Sequence, residues 1–292
     1  MIDTEIYRPV VTRRMRRLRV RGIDYCVNEW GDDDAPIIFY LHGWADTGST
    51  FQFVVDALAS RWRVVAPDWR GFGRSSHADG PYWFPDYLAD LHEILQHYSP
   101  DEPVSLVGHS MGGNIASLYA GSMPERVNAV INVEGFGLVD SDPEDAPQRY
   151  RGWLEAQETP AQFSRYPDFA DLARKIALRN AGLSKAKAGF IAREWASEKG
   201  ADISLRADPK HKMPNAVLYR RAETEACWRS VRAPVLLVSG ANSPFARQFG
   251  DIATLPFPVS ETVEVGGVGH MVHFEAPEWL AEQIEQFLKK TL

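Results

Sequence analysis

Hydrophobic and polar positions alternate along this chain as short apolar runs separated by longer amphipathic stretches. This alternation is typical of a mostly parallel sheet whose strands are joined by covering helices. The predicted strands lie at 18–20, 25–30, 37–41, 63–66, 104–107, 129–133, 234–238 and 261–265. The predicted helices lie at 51–59, 84–98, 111–123 and 277–288. We therefore expect an α/β fold in which helices flank a mostly parallel, eight-stranded sheet.

The segment 138–229 departs from this alternation, because its pattern is helical and charged and carries no strand signal. We expect a core domain of residues 1–137 and 230–292, interrupted by a helical insertion at 138–229 that serves as a lid. Open α/β sheets bind ligands at the carboxyl ends of their strands, where such an insertion would lie. Its aromatic side chains include Trp153, Phe163, Tyr166, Phe169, Phe190 and Trp195. They indicate an apolar inner face, which favours an acyl or aromatic substrate group over a sugar or polyphosphate.

Composition narrows the classes of function. A hydrophobic content of 45% and a formal charge of −7 fit a globular domain and provide no field that attracts nucleic acid. The basic run at 13–19 is interpreted as a charged edge strand. No apolar stretch approaches the ~18 residues of a membrane span, and no apolar signal segment follows the N-terminal arginines. Cys26 and Cys227 are interpreted as buried thiols, so we expect a reducing, cytoplasmic compartment. The chain has no glycine-rich phosphate loop and no metal-ligand spacing, so we expect no cofactor or metal.

The candidate nucleophile is Ser110, at the centre of Gly108-His109-Ser110-Met111-Gly112. This sequence matches G-x-S-x-G, and it lies between an apolar strand and an apolar helix as the motif requires. The flanking glycines allow a tight, strained turn that lifts the serine hydroxyl above the sheet. The alternative is a glycine-rich turn with an inert serine.

Ser110 needs a proton acceptor, and histidine is the side chain suited to that task near neutral pH. His270 is the candidate, because it follows the last predicted strand and the glycine-rich sequence 266–269. That loop can reach over the carboxyl ends of the strands. His273 is the neighbouring alternative, although we expect it to order the loop instead.

The candidate oxyanion donors are the backbone N–H groups of Trp44 and Met111. His42-Gly43-Trp44 ends an earlier strand, and glycine there lets the next N–H group face a substrate. Met111 opens the helix after Ser110. The alternative for His42-Gly43 is a simple turn.

In this order, these residues resemble the α/β-hydrolase fold superfamily over roughly 18–137 and 230–290. The motifs that carry the resemblance are His42-Gly43, the D-x-x-G-x-G-x-S turn from Asp68 to Ser75, the Ser110 turn and the His270 loop. The resemblance implies a hydrolase that works through an acyl-enzyme, with Asp68 as a structural residue. Ser110 argues against the epoxide hydrolases and haloalkane dehalogenases of the superfamily, which use aspartate at that position.

The third catalytic residue departs from the superfamily pattern. Most relatives carry an aspartate after the seventh strand, where this chain reads Gly240-Ala241-Asn242-Ser243-Pro244. Glu134 is the candidate acid, because it directly follows the strand at 129–133 and keeps the chain order serine, acid, histidine. Some superfamily members, including certain haloalkane dehalogenases, carry their acid at this position. Asp251, or no carboxylate partner at all, is the alternative.

The expected function is an esterase- or lipase-like serine hydrolase acting on a small to medium ester-like substrate. A thioesterase, an amidase or a carbon–carbon bond hydrolase would use the same residues, as would a cofactor-free perhydrolase or haloperoxidase. The absent acid after the seventh strand keeps open a third class, a non-catalytic ligand receptor on the same scaffold. The oligomeric state is left open.

Overall fold

The computed structural model describes residues 7–159 and 161–292. Its strands are β1 Arg14–Val20, β2 Ile23–Trp30, β3 Ile37–Leu41, β4 Arg63–Pro67, β5 Val104–His109, β6 Val127–Val133, β7 Arg165–Tyr166, β8 Ala196–Lys199, β9 Asp202–Leu205, β10 Val235–Gly240 and β11 Ser260–Val265. Its α-helices are α1 Gln52–Val55, α2 Phe84–Tyr98, α3 Met111–Ser122, α4 Ala146–Glu158, α5 Phe169–Arg179, α6 Lys185–Trp195, α7 Arg221–Arg229, α8 Pro244–Gln248, α9 Val272–Glu275 and α10 Pro277–Thr291.

Eight strands form one sheet in the order β1-β2-β4-β3-β5-β6-β10-β11. Strand β2 pairs antiparallel with both β1 and β4, whereas the other neighbours are parallel. The predicted mostly parallel, eight-stranded sheet is therefore confirmed. The carboxyl ends of β3, β5, β6 and β10 meet at one edge, where open α/β sheets bind their ligands.

Helices cover both faces of this sheet. On one face α2 and α3 bury Leu91 and Ile115, and on the other α1 and α10 bury Val54 and Ile284. Burying an aliphatic side chain of this size stabilises a fold by ~1.5–3 kcal/mol. These two apolar layers hold the strands that carry the candidate site.

The insertion (residues 138–229) contains a small antiparallel sheet in the order β7-β9-β8 as well as helices. The sequence pattern predicted no strands here, and that prediction was wrong. Each strand has only two to four residues, which is too short for a period of two to be recognised. Leu172 and Ile191 of the insertion share an apolar cluster with Phe53 and Phe274 of the sheet domain. This cluster anchors the insertion beside α9.

Helix α7 lies differently from the rest of the insertion, because it packs against α3. A Cβ built on Gly121 would lie 2.0 Å from the carbonyl oxygen of Cys227. Trp228 is fully buried, and its ring stacks on Phe257 with centroids 5.1 Å apart. The division into a core and a lid stays a prediction.

The predicted helix at 51–59 is shorter in the structure, where a 3-10 turn at Gly48–Phe51 leads into α1. After α1 the Ala57 N–H donates to Val54 O at 3.0 Å, which is the tighter 3-10 pattern. The predicted helices at 84–98 and 277–288 are confirmed as α2 and α10.

The basic run forms the edge strand β1, in which Arg14 and Arg16 are exposed, as predicted. Charged side chains on an edge discourage pairing with other chains. Across residues 7–159 and 161–292, no helix has the length and apolarity needed to span a membrane.

Candidate active site

Ser110 lies in a sharp turn between β5 and α3, with φ 52° and ψ −114°. A non-glycine residue in such a region costs about 1–3 kcal/mol, so the surrounding structure must hold it there. Its N–H donates to Val133 O at 2.8 Å. A Cβ on Gly108 would lie 2.3 Å from Gly112 O, and one on Gly112 would lie 1.9 Å from Leu41 O. Glycine is therefore required on both sides of this partly exposed serine.

Glu134 is the first residue after β6 and also has a positive φ, of 61°. Its side chain is completely buried. Oε1 accepts the N–H of Gly240 at 2.7 Å, and Oε2 accepts the Ser243 hydroxyl at 2.5 Å. Oε2 also accepts Nδ1–H of His270 at 3.0 Å. A buried carboxylate needs such donors, because an unpaired one is very costly. The structure thus brings Glu134 and His270 together.

His270 belongs to the loop at residues 266–271, which follows β11. Its side chain is 18% exposed, and its carbonyl oxygen accepts Nε2–H of His109 at 2.9 Å. Within the described residues no hydrogen bond joins His270 to the Ser110 hydroxyl, and catalytic bonds of this kind often tighten only when substrate binds. Asp251 does not contact His270; its Oδ1 accepts the N–H of Ala253 at 2.9 Å.

The loop after β3 lies directly against the Ser110 turn. A Cβ on Gly43 would lie 3.2 Å from Ser110 Cβ and 2.9 Å from His109 Nδ1. Only glycine permits this approach, and Trp44 follows immediately. Met111 is the first residue of α3, where N–H groups have no partner within the helix. The two candidate oxyanion donors therefore lie next to the elements that contact Ser110.

A second histidine–carboxylate pair lies beside the first. His273 Nε2–H donates to Asp46 Oδ2 at 3.1 Å, and both side chains are 1% exposed. Asp46 Oδ1 accepts the indole N–H of Trp195 at 2.7 Å and the hydroxyl of Thr50 at 2.8 Å. Because Trp195 ends α6, Asp46 connects the insertion, the loop after β3 and α9.

Burial shifts the pKa values of several side chains around the contact between His273 and Asp46. Burial lowers the pKa of His109 well below its ordinary value, and the neighbouring His273 and His270 add to the effect. Burial also lowers the pKa of His42. For Asp46, burial acts to raise the pKa, but the hydrogen bond and charge of His273 outweigh it and the pKa is lowered. An ionised Asp46 is thus surrounded by imidazoles, of which His42 and His109 stay neutral near pH 7.

A cavity of about 770 Å³ lies between the insertion and the strand ends. Its apolar lining includes Trp44, Phe163, Tyr166, Leu172, Ile176, Trp195, Leu205, Phe245 and Met271. His270 also lines it, whereas His273 does not. A cavity of this size and lining suits a small to medium apolar group.

A family model described as alpha/beta hydrolase fold matches residues 36–277. The chain belongs to the α/β-hydrolase fold family. It is 27% identical over 279 residues to a serine hydrolase-like protein of Danio rerio, covering 89% of this chain and 83% of that protein. It is 31% identical over 274 residues to a 3-hydroxybutyrate-oligomer hydrolase of Cupriavidus necator, covering 87% and 89%. A solved thioesterase domain from the curacin biosynthetic pathway superposes with a TM-score of 0.83 at 26% identity, covering 94% and 99%.

Three residues of this α/β-hydrolase that contact the candidate site gave no usable signal in the sequence. They are Asp46, His109 and Ser243. His109 occupies the variable position of the serine motif, and Asp46 meets His273 from a position 227 residues away. Ser243 lies in the segment after β10, and its hydroxyl donates to Glu134.

One group in the described part of this α/β-hydrolase has the residue types and proximity of a metal site. Ligand atoms of Asp46, His109 and His273 lie within 4.8 Å of one another, and all three residues are buried. Nε2 of His109 is already bonded to His270 O, and Nε2 of His273 to Asp46. These hydrogen bonds use one ring nitrogen of each histidine, whereas His109 Nδ1 and His273 Nδ1 are buried without a hydrogen-bond partner in the described part of the chain. The expected absence of a metal or cofactor stays a prediction.

Proposed function

We propose that this α/β-hydrolase is a serine hydrolase that cleaves a small to medium carboxylic ester through an acyl-enzyme on Ser110. The observation that carries the proposal is the 3.0 Å contact between His270 Nδ1 and Glu134 Oε2, beside the strained Ser110 turn. A carboxylate bonded to Nδ1 leaves Nε2 free to accept a proton and stabilises the imidazolium that forms. The names of the serine hydrolase-like and oligomer hydrolase relatives support the same chemistry.

In the first step, Ser110 Oγ attacks the ester carbonyl carbon while His270 Nε2 takes the hydroxyl proton. The N–H groups of Trp44 and Met111 donate to the resulting oxyanion, and each such donor is typically worth ~2.7–4 kcal/mol. The carbon–oxygen bond to the alcohol then breaks, and the imidazolium gives its proton to the departing oxygen. The acyl group stays on Oγ.

In the second step, water attacks the acyl carbon and His270 takes one of its protons. The tetrahedral intermediate collapses, the proton returns to Ser110 Oγ, and the carboxylic acid leaves. Glu134 keeps the ring oriented throughout by accepting Nδ1–H. Its own position is held by the Gly240 N–H and the Ser243 hydroxyl.

The proposal is tested by reaction with a fluorophosphonate, followed by mass mapping of the modified peptide. We expect a single adduct on Ser110 that is absent in Ser110→Ala and strongly reduced in His270→Ala. His77→Ala is the matched control, because the side chain of His77 is 57% exposed and takes no part in the site. Absence of any adduct, together with absence of ester hydrolysis, would favour the non-catalytic receptor.

Thioester hydrolysis is the second candidate, favoured by the likeness to a thioesterase domain. Phenyl butyrate and its S-phenyl thioester separate the two, since they differ only in the leaving atom. A higher kcat/KM for the ester supports the first proposal, and a higher value for the thioester supports the second.

The two free cysteines, Cys26 and Cys227, support the further proposal of a reducing, cytoplasmic compartment.

A further inference from the structure

The cavity beside His270 has a charge opposite to that of the whole chain. Its charged lining residues other than His270 are three cations, Lys175, Arg179 and Lys212, and one carboxylate, Glu275. The carboxylate of Glu275 already accepts one hydrogen bond, because its Oε2 accepts the N–H of Gly182 at 3.3 Å. The chain as a whole carries −7. A cationic cavity in an acidic protein draws anionic ligands to that one place.

One face of α5 supplies two of these cations. Leu172, Lys175, Ile176 and Arg179 follow the spacing i, i+3, i+4, i+7 and all line the cavity. The two apolar members are buried, whereas Lys175 and Arg179 are exposed. Like charges four residues apart on a helix repel each other.

The three cations differ in their existing partners. Lys175 Nζ lies 2.9 Å from Asp171 Oδ2, so its charge is already compensated. Arg179 and Lys212 have no carboxylate within ion-pair distance among residues 7–159 and 161–292.

Lys212 is held in place by neutral groups. Its Nζ donates to the carbonyl oxygen of Gln162 at 2.8 Å and lies 4.8 Å from the ring centre of Phe163. Its remaining donors, and the planar fork of Arg179, are therefore available to a ligand in the cavity.

We propose that Arg179 and Lys212 form an anion subsite, so that the substrate is an ester with a carboxylate at the end remote from the scissile bond. The apolar side chains that line the same cavity would hold the alkyl segment of the substrate. A guanidinium group pairs with a carboxylate through two parallel N–H···O bonds, which gives orientation as well as affinity. This inference rests on the proposed ester hydrolysis and names its substrate class.

The test compares each carboxylate-ended ester with its primary amide, which has the same shape and no charge. The half ethyl ester of adipic acid carries the carboxylate on the acyl side, and ω-acetoxyhexanoate carries it on the alcohol side. We expect at least one of the two acids to exceed its amide in kcat/KM by about fivefold, in line with two partly exposed ion pairs. The preference should shrink as ionic strength rises, because salt screens exposed charges.

The double variant Arg179→Gln/Lys212→Gln should lose this preference, so that its kcat/KM for each acid falls to that for the matching amide. Lys185→Gln is the control, because Lys185 lines a separate groove on the insertion and should leave the preference intact. Equal rates for acids and amides in the unmodified protein, or a preference that survives the double variant, would overturn the subsite. A higher kcat/KM for ω-acetoxypentyl phosphate than for ω-acetoxyhexanoate would overturn the assignment of a carboxylate as the anionic group of the substrate.

Hydrolysis of the neutral amide-ended esters and labelling of Ser110 serve as the separate readout of the proposed function. If both are present without an acid preference, only the subsite fails. If both are absent, the proposed function fails as well.

Discussion

Two histidine–carboxylate pairs lie side by side in this α/β-hydrolase. His270 contacts Glu134 at 3.0 Å and His273 contacts Asp46 at 3.1 Å, so the two contacts are nearly equal in length. Their surroundings differ, because the His270 side chain is 18% exposed and lines the cavity, whereas the His273 side chain is 1% exposed.

Under the proposed function, this difference decides which pair acts in catalysis. A general base must reach the proton it removes, and of these two histidines only His270 lines the cavity. The buried pair instead holds the insertion, the loop after β3 and α9 in register through Asp46. We therefore expect changes to the first pair to act on turnover and changes to the second to act on stability.

The largest expected effect is that of Glu134→Gln on turnover. The amide cannot stabilise the imidazolium, so kcat for a neutral ester should fall by ~10³–10⁴, as in other triads that lose their acid. Asn242→Ala and Asp251→Asn are the controls and should stay within about tenfold of the unmodified protein. A larger loss in either control than in Glu134→Gln would refute the assignment of the acid.

The second-largest expected effect is on the stability of the protein, through changes to the buried pair of His273 and Asp46. Asp46→Ala removes one partner of a buried charged contact and should lower the free energy of unfolding by ~3–5 kcal/mol, measured in urea. Its kcat should fall less than that of Glu134→Gln, and Asp46→Asn should be milder because it keeps an acceptor for Trp195. An unchanged stability with a loss of turnover as large as that of Glu134→Gln would mean that the two pairs have exchanged roles.

Buried imidazoles predict a loss of stability in mild acid. Burial lowers the pKa of His211 to about 3, where its ring is stacked between Phe72 and Tyr82. As the pH falls below the ordinary value of 6.5, the unfolded chain binds a proton that the folded protein does not. Between about pH 7 and pH 5 this group alone should therefore cost ~2 kcal/mol of stability.

His211→Phe keeps the ring stack and should reduce that pH-dependent loss by the same ~2 kcal/mol in urea unfolding at the two pH values. The comparison between variant and unmodified protein cancels the contributions of His42 and His109, which act in the same direction. Identical pH slopes in the two proteins would contradict the burial of a neutral His211.

The smallest expected effect is that of Trp195→Phe. The variant keeps a ring in the cavity wall but removes the indole N–H that Asp46 accepts, which should cost ~1.5 kcal/mol. KM should rise severalfold while kcat changes little, because the insertion is loosened and the Glu134–His270 contact is untouched. A fall in kcat with constant KM would show that Asp46 acts on the chemical step.

Much of the framework follows from short stretches of the chain. The G-x-S-x-G turn at Ser110 is local, since Gly108 and Gly112 supply the close approaches that it needs. Most of the strands of the large sheet and its long helices follow from apolar periodicity, which is also a local property. The strands β7, β8 and β9 were missed because they are too short to carry a period.

The sequence by itself determined the α/β scaffold, the strained serine turn and the chain order of serine, glutamate and histidine. The sequence favoured His270 over His273, but only the tertiary structure shows that His270 lines the cavity whereas His273 is buried against Asp46. The tertiary structure also shows that His270 contacts Glu134 rather than Asp251. These outcomes depend on parallel strand register and on the packing of loops more than 100 residues apart, with separations of 136 for Glu134–His270 and 227 for Asp46–His273. Local patterns contain no record of such contacts, because burial and charge pairing are set only when the distant segments meet.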